Sequence, residues 1–222
     1  MNFLKLLNMI KAIIFDMDGV VSDTQKLHSK VESEILSRFD INLTPDEITQ
    51  RYSGVKTKEF VSQLLAEKGI ETDIMQLMVE KWQKMEELAE QTVDPIDGIF
   101  EMLDQCKNLG LKMAIGTASN INYATKVLNS LNILNKFDFI VTGDMVKAGK
   151  PEPDIFLLAA NKIKMLPTDC VVIEDGLNGM IAANRAGMKC IALVKNIDFN
   201  KYPTKNQVLS LHDIDQSYLI SL

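Results

Sequence analysis

Asp16 and Asp18 stand one residue apart, directly after the short apolar run Ala12-Ile-Ile-Phe15. Residues two apart in an extended segment project to the same side. One carboxylate can then attack while the other donates a proton to the leaving oxygen. Further polar groups follow other apolar runs: Thr117-Ala118-Ser119-Asn120, then Lys150-Pro-Glu-Pro-Asp154, then Glu174-Asp175. Four carboxylates brought to one place repel each other unless a divalent cation joins them. Oxygen donors with no His or Cys cluster point to Mg2+. An aspartate attacking a phosphate dianion meets like-charge repulsion, which Mg2+ and Lys150 would offset. Thr117 and N–H groups at a helix start would hold the phosphoryl oxygens. The chemistry is phosphoryl transfer. Each piece alone has an ordinary reading: a solvated turn, a helix N-cap at Thr117 or Asn120, a surface lysine. Their joint arrangement is what makes a site.

That arrangement needs each group at the end of a strand. Ala12–Phe15 reads as a fully buried parallel strand. After Pro95 strands and helices alternate: helix 97–109, strand 111–115, helix 121–131, strand 139–142, helix 154–165, strand 170–173, helix 177–186, strand 189–194. This pattern predicts a doubly wound, Rossmann-like parallel sheet, whose sites form outside the carboxyl ends of the strands. The stretch from 24 to 94 is different. Leu27, Val31 and Ile35 mark one helical face, Phe60 to Leu65 a second, and Ile74, Met78, Trp82, Met85 and Leu88 a third. Thr44-Pro45-Asp46-Glu47 reads as a helix start. The expected organisation is an α/β core from 9–23 and 95–222, with an all-helical cap, 24–94, inserted after the first strand. Trp82 is expected in the cap core.

The chain has 222 residues, 24 Lys+Arg against 30 Asp+Glu, a net charge of −6 and 46% hydrophobic residues. Disordered and fibrous classes are excluded. The acidic balance disfavours nucleic acid or an anionic membrane as partner. No run is long enough for a membrane span. Three unpaired-looking cysteines, Cys106, Cys170 and Cys190, read as buried thiols in a reducing cytoplasm. The first residues look like a weak signal peptide without a cleavage site, and Met9 can serve as a start. A monomer is the expectation.

The motifs resemble those of the haloacid dehalogenase (HAD) superfamily. Phe15-Asp16-Met17-Asp18-Gly19-Val20-Val21-Ser22-Asp23-Thr24 is similar to its opening signature, Thr117-Ala118-Ser119-Asn120 to its second motif, Lys150-Pro-Glu-Pro-Asp154 to its third and Val172-Ile-Glu174-Asp175-Gly to its fourth. They come in the family's order and span residues 10 to 195. The branch most resembled is the β-phosphoglucomutase-like phosphatases, which carry a helical cap. The resemblance implies that Asp16 forms an aspartyl-phosphate and that Asp18 protonates the leaving alkoxide and then activates water. Thr117, Ala118 and Lys150 would hold the phosphoryl group. Asp16, the backbone carbonyl of Asp18, Asp175 and Glu174 would bind Mg2+. Gly176 departs from the family, where Ser usually follows the acidic pair.

In the cap, His28 resembles the histidine that couples cap closure to the acid–base aspartate. Tyr52 to Lys58 resembles the substrate loop, with Gly54 free to make its sharp turn. The mutases carry an Arg there for a second phosphate, and Thr57 occupies that place. Lys56, Lys58 or Lys81 would have to substitute, without the bidentate fork. This favours a phosphatase of a small sugar phosphate over a mutase working through a sugar 1,6-bisphosphate. Asp18 disfavours a true dehalogenase, which needs no acid there. The non-enzymatic alternatives are a receiver-like domain, whose acceptor follows the third strand and which lacks an insertion, and a degenerate phosphate-binding protein.

Overall fold

The computed structural model describes residues 10–52, 55–91 and 93–222. Met9, the region before it and Gly54 lie outside the described residues. Six parallel strands form one sheet: β1 (Ala12–Phe15), β2 (Lys112–Gly116), β3 (Phe139–Val141), β4 (Cys170–Glu174), β5 (Lys189–Leu193) and β6 (Asn206–Val208), in the order β3-β2-β1-β4-β5-β6. The order reverses at β1, so the carboxyl ends of β1, β2 and β4 open on a common crevice.

Strand alternation divides the core in two. Ile13, Phe15, Ile115, Val171 and Ile173 belong to one buried cluster, and Ala12, Ile14, Ala114, Val141 and Val172 to the other. Burying each large side chain of this kind contributes about 2 kcal/mol. Helices α5 (Ile99–Asn108) and α6 (Ile121–Ser130) cover the first face, and α7 (Asp154–Lys162) and α8 (Leu177–Arg185) the second. A last helix, α9 (Gln216–Ser221), ends the chain.

Between β1 and α5 lie four helices: α1 (Gln25–Ser37), α2 (Pro45–Tyr52), α3 (Thr57–Glu67) and α4 (Ile74–Gln91). The start of α2 is a capping box. Glu47 N donates to Thr44 Oγ1 at 3.3 Å, and Thr44 N donates to Glu47 Oε2 at 2.9 Å. The apolar faces of these helices continue the cluster around β1, and α4 packs on α6. The helical insertion thus sits over the carboxyl end of the sheet.

Two element differences have local causes. The helix expected over 154–165 ends at Lys162, because Lys164 adopts φ 60, outside helical geometry. Strand β6 carries no sequence signal: of its three residues only Val208 is buried, which leaves no alternation to detect. The thiols are buried as expected. Burial pushes Cys106 up to about 12 and Cys170 up to about 11, so neither is a nucleophile near neutrality. No helix among the described residues is long and apolar enough to cross a membrane.

Candidate active site

The crevice above β1 is a cavity of about 40 Å3, lined by Asp16, Asp18, His28, Glu32, Thr57, Lys81, Trp82, Thr117, Ala118 and Ser119 among others. That is room for a phosphoryl group or a few waters. Its floor comes from the strand ends and its roof from the helical insertion.

Asp16 faces the core side. Its Oδ1 accepts from Lys150 Nζ at 2.5 Å, and the same ammonium donates to Glu174 Oε1 at 2.7 Å. Lys150 is fully buried. Burial alone would lower its pKa, but Asp16 and Glu174 overcome that and hold it above the ordinary lysine value. Asp16, Glu174 and Asp175 each place a carboxylate oxygen within 4.8 Å of the others. Burial, reinforced by Glu174 and Asp18 and opposed by Lys150, pushes Asp16 up to about 8. Asp175 is also raised well above the usual range, by burial and then by Glu174 and Asp16. Three carboxylates against one ammonium resist full ionisation. They form a hard, oxygen-only donor set that could hold a divalent cation.

Two glycines make room for this set. A Cβ on Gly19, which has φ +96, would stand 2.2 Å from Asp175 Oδ2, and one on Gly179 would stand 1.6 Å from Glu174 Oε1. Gly179 lies inside α8, where glycine costs about 1 kcal/mol against alanine. That cost was the available sequence signal for a close approach. Gly176, the departure from the family motif, donates its N–H to Glu174 Oε2 at 2.7 Å, so its backbone secures the acidic pair.

Asp18 faces the other way. Oδ1 accepts from Thr24 Oγ1 at 2.5 Å, and Oδ2 accepts from Ser119 Oγ at 2.8 Å. Thr117 Oγ1 is 3.5 Å from Oδ2 and accepts from Ser119 N at 3.1 Å. His28 Nε2 lies 3.2 Å from Oδ1. Burial raises the pKa of Asp18, but His28, Thr24 and Ser119 outweigh it and hold the carboxyl well below the usual range. Two aspartates one residue apart thus differ sharply: without a cation, burial favours the protonated form of Asp16, while hydroxyl and imidazole partners favour the ionised form of Asp18.

The remaining sequence candidates divide between two places. Ala118 and Lys81 line the cavity with Asp16. Lys56 does not: its Nζ donates to the carbonyl of Val146 at 2.9 Å, and it lines a neighbouring cavity of about 520 Å3 together with Lys58. Trp82 packs on the core cluster as expected, yet it is half-buried and also lines both cavities. Sequence reasoning gave no separate role to Thr24 or Ser119, which hold Asp18, and did not single out Glu32.

The profile of haloacid dehalogenase-like hydrolases matches residues 13–193. The chain belongs to that family. As a member of these hydrolases it is 35% identical over 191 residues to a β-phosphoglucomutase of Bacillus subtilis, covering 83% of each chain. It is 30% identical over 182 residues to a phosphorylated carbohydrates phosphatase of Thermotoga maritima, covering 82% of this chain and 84% of that one. Among solved structures, β-phosphoglucomutase from Clostridium difficile superposes with a TM-score of 0.86 at 27% identity, covering 96% of both chains. The doubly wound core with its inserted helical cap is therefore the HAD fold.

Proposed function

We propose that this hydrolase is a Mg2+-dependent phosphatase of a small sugar phosphate, working through an aspartyl-phosphate on Asp16. The observation that carries the reading is the opposed setting of Asp16 and Asp18 on one cavity, Asp16 against Lys150 and Asp18 among hydroxyls and His28. Asp16, Glu174, Asp175 and the backbone carbonyl of Asp18 would hold the metal. When bound, Mg2+ supplies positive charge that lets the anionic nucleophile meet the anionic phosphoryl group.

Asp16 first gives up to water the proton that burial favours, a loss that Lys150 and a bound cation would assist, and its carboxylate oxygen then forms a bond to phosphorus as the ester P–O bond breaks. The departing alkoxide takes a proton from Asp18. Asp18 must first take up a proton from water, and a phosphate dianion arriving in the cavity favours that protonated form by like-charge repulsion. Asp18 then accepts a proton from water as the water oxygen attacks phosphorus and frees Asp16. Lys150 neutralises Asp16 and the transferring oxygens. Thr117 and the backbone at Ala118 bound the phosphoryl pocket. Residues 24–94, moving as a cap, would admit substrate and exclude water.

The match to β-phosphoglucomutase supports a second reading, phosphotransfer through a sugar 1,6-bisphosphate. Thr57, at the place of the mutase arginine, weighs against it. The test is an assay on β-glucose 1-phosphate and a panel of sugar phosphates, with trace glucose 1,6-bisphosphate and quantification of free phosphate and glucose 6-phosphate. Metal-dependent phosphate release that stops in excess EDTA is the expected result. Isomerisation without phosphate release would overturn it in favour of the mutase.

A further inference from the structure

Three of the cap helices converge on one buried polar cluster. His28 and Glu32 lie one turn apart on α1, Thr57 opens α3 and Lys81 lies on α4. Lys81 Nζ, 1% exposed, lies 2.9 Å from Glu32 Oε1. It also donates to Thr57 Oγ1 and stands 3.2 Å from His28 Nδ1. The Thr57 hydroxyl in turn donates to Glu32 Oε1 at 2.7 Å. An ammonium can only donate. His28 Nδ1 therefore accepts, and Nε2 is the ring nitrogen on the Asp18 side. Trp82 closes the cluster, with Lys81 Nζ 4.1 Å from its ring centroid.

The charges in this cluster balance: one carboxylate, one ammonium. Glu32 Oε2 takes no hydrogen bond among the described residues, and Glu32 lines the same cavity as Asp16. The cluster thus offers a leaving group a carboxylate acceptor and a cation that is already matched. A hydroxyl satisfies the acceptor. A second phosphoryl group would bring its charge against Glu32, and like charges repel strongly in a desolvated site. Lys56, which precedes Thr57, is spent on the core carbonyl of Val146.

We propose that Glu32, held by Lys81 and Thr57, determines specificity: it receives a hydroxyl of the leaving group and excludes sugar bisphosphates. This deepens the phosphatase reading and rests on it for the orientation of the substrate, phosphate on Asp16 and leaving group toward the cap.

The experiment compares matched pairs that differ by one phosphoryl group: β-glucose 1-phosphate with its 1,6-bisphosphate, and fructose 6-phosphate with its 1,6-bisphosphate. Binding is read by calorimetry on Asp16→Asn with Mg2+, and phosphate release on the otherwise native chain. The expected result is at least a tenfold preference for the monophosphate in each pair that binds. Glu32→Gln should shrink that preference to within about threefold, and Lys58→Gln should leave it unchanged. Glu32→Gln leaves Lys81 buried without its counter-charge and can fail to fold. The double variant Glu32→Leu with Lys81→Met removes both charges and carries the same expectation. A bisphosphate preferred in either pair would overturn the proposal. So would a preference that Glu32→Gln and the double variant leave untouched, one that Lys58→Gln removes, or no monophosphate bound better than inorganic phosphate. A preference that holds in binding while the native chain releases no phosphate would sink the phosphatase reading and leave the inference standing.

Discussion

Two buried lysines bond carboxylates that line the same small cavity, Lys150 to Asp16 and Lys81 to Glu32, and their surroundings differ in one respect. Lys150, on the core side, bonds Asp16 and Glu174, and Asp175 places a carboxylate oxygen within 4.8 Å of both. Lys81, on the cap side, answers one, Glu32, with a hydroxyl and an imidazole completing its shell. With all three carboxylates ionised the core cluster would be short of two positive charges, whereas the cap cluster is balanced. A deficit of two charges among hard oxygen donors is what a divalent cation fills. A balanced cluster offers hydrogen bonds without net charge, which suits neutral hydroxyls. Under the proposed function, this contrast would separate the end that does chemistry from the end that selects.

The largest expected effect comes from removing the group unique to the core side. Asp16→Asn should lower phosphate release by about 10^4-fold or more, since a nucleophile has no substitute. Turnover within tenfold of the native chain would refute its role. Next come the two lysines. Lys150→Met strands two buried carboxylates and should cost about 3–5 kcal/mol in metal-free urea unfolding. Mg2+ should restore part of that loss. Lys81→Met should cost stability that Mg2+ does not restore. Equal metal rescue of both variants would erase the distinction between the clusters.

A smaller effect tests the charge deficit itself. Asp16 titrates near 4 in the unfolded chain and is raised to about 8 in the fold. Between those pH values the folded state holds the extra proton, so metal-free stability falls as pH rises through the window. The gain in Tm on adding Mg2+ should therefore grow from pH 5 to pH 8. A gain that shrinks with pH would contradict the deficit. The smallest effect is geometric. Gly179→Ala must move Glu174, whose Oε1 would meet the new Cβ at 1.6 Å. It should lower kcat by roughly 10–100-fold, as displaced supporting groups at metal sites do. The preference between mono- and bisphosphate should stay unchanged, because that belongs to the cap.

The core half of the site was legible in the residue order. Asp16, Thr117 and Glu174 stand at the ends of buried runs and Lys150 in the segment between the third strand and its helix, and a parallel sheet brings the ends of such runs together whatever lies between. The order of five strands and the helical insertion followed from the same periodicities. Strand β6 was not legible, because its three residues bury only Val208. The partners of Lys81 were not legible either. Glu32 and Thr57 lie 49 and 24 positions away from it in the chain, on different helices. Helical periodicity says which face of each helix is apolar, but not which polar residue at its edge meets which.

The sequence by itself determined the sheet, the insertion and the gathering of polar residues at the strand ends, because strand-end placement is a property of local pattern plus one topological rule. Only the tertiary structure decided that Asp16 and Asp18 have opposite electrostatic settings, that Lys56 turns to the core, and that Lys81 is already matched by Glu32. Those outcomes depend on how the cap helices rotate against one another and on α6. Burial and distance, which fix the strength of each charge, exist only once that packing has formed.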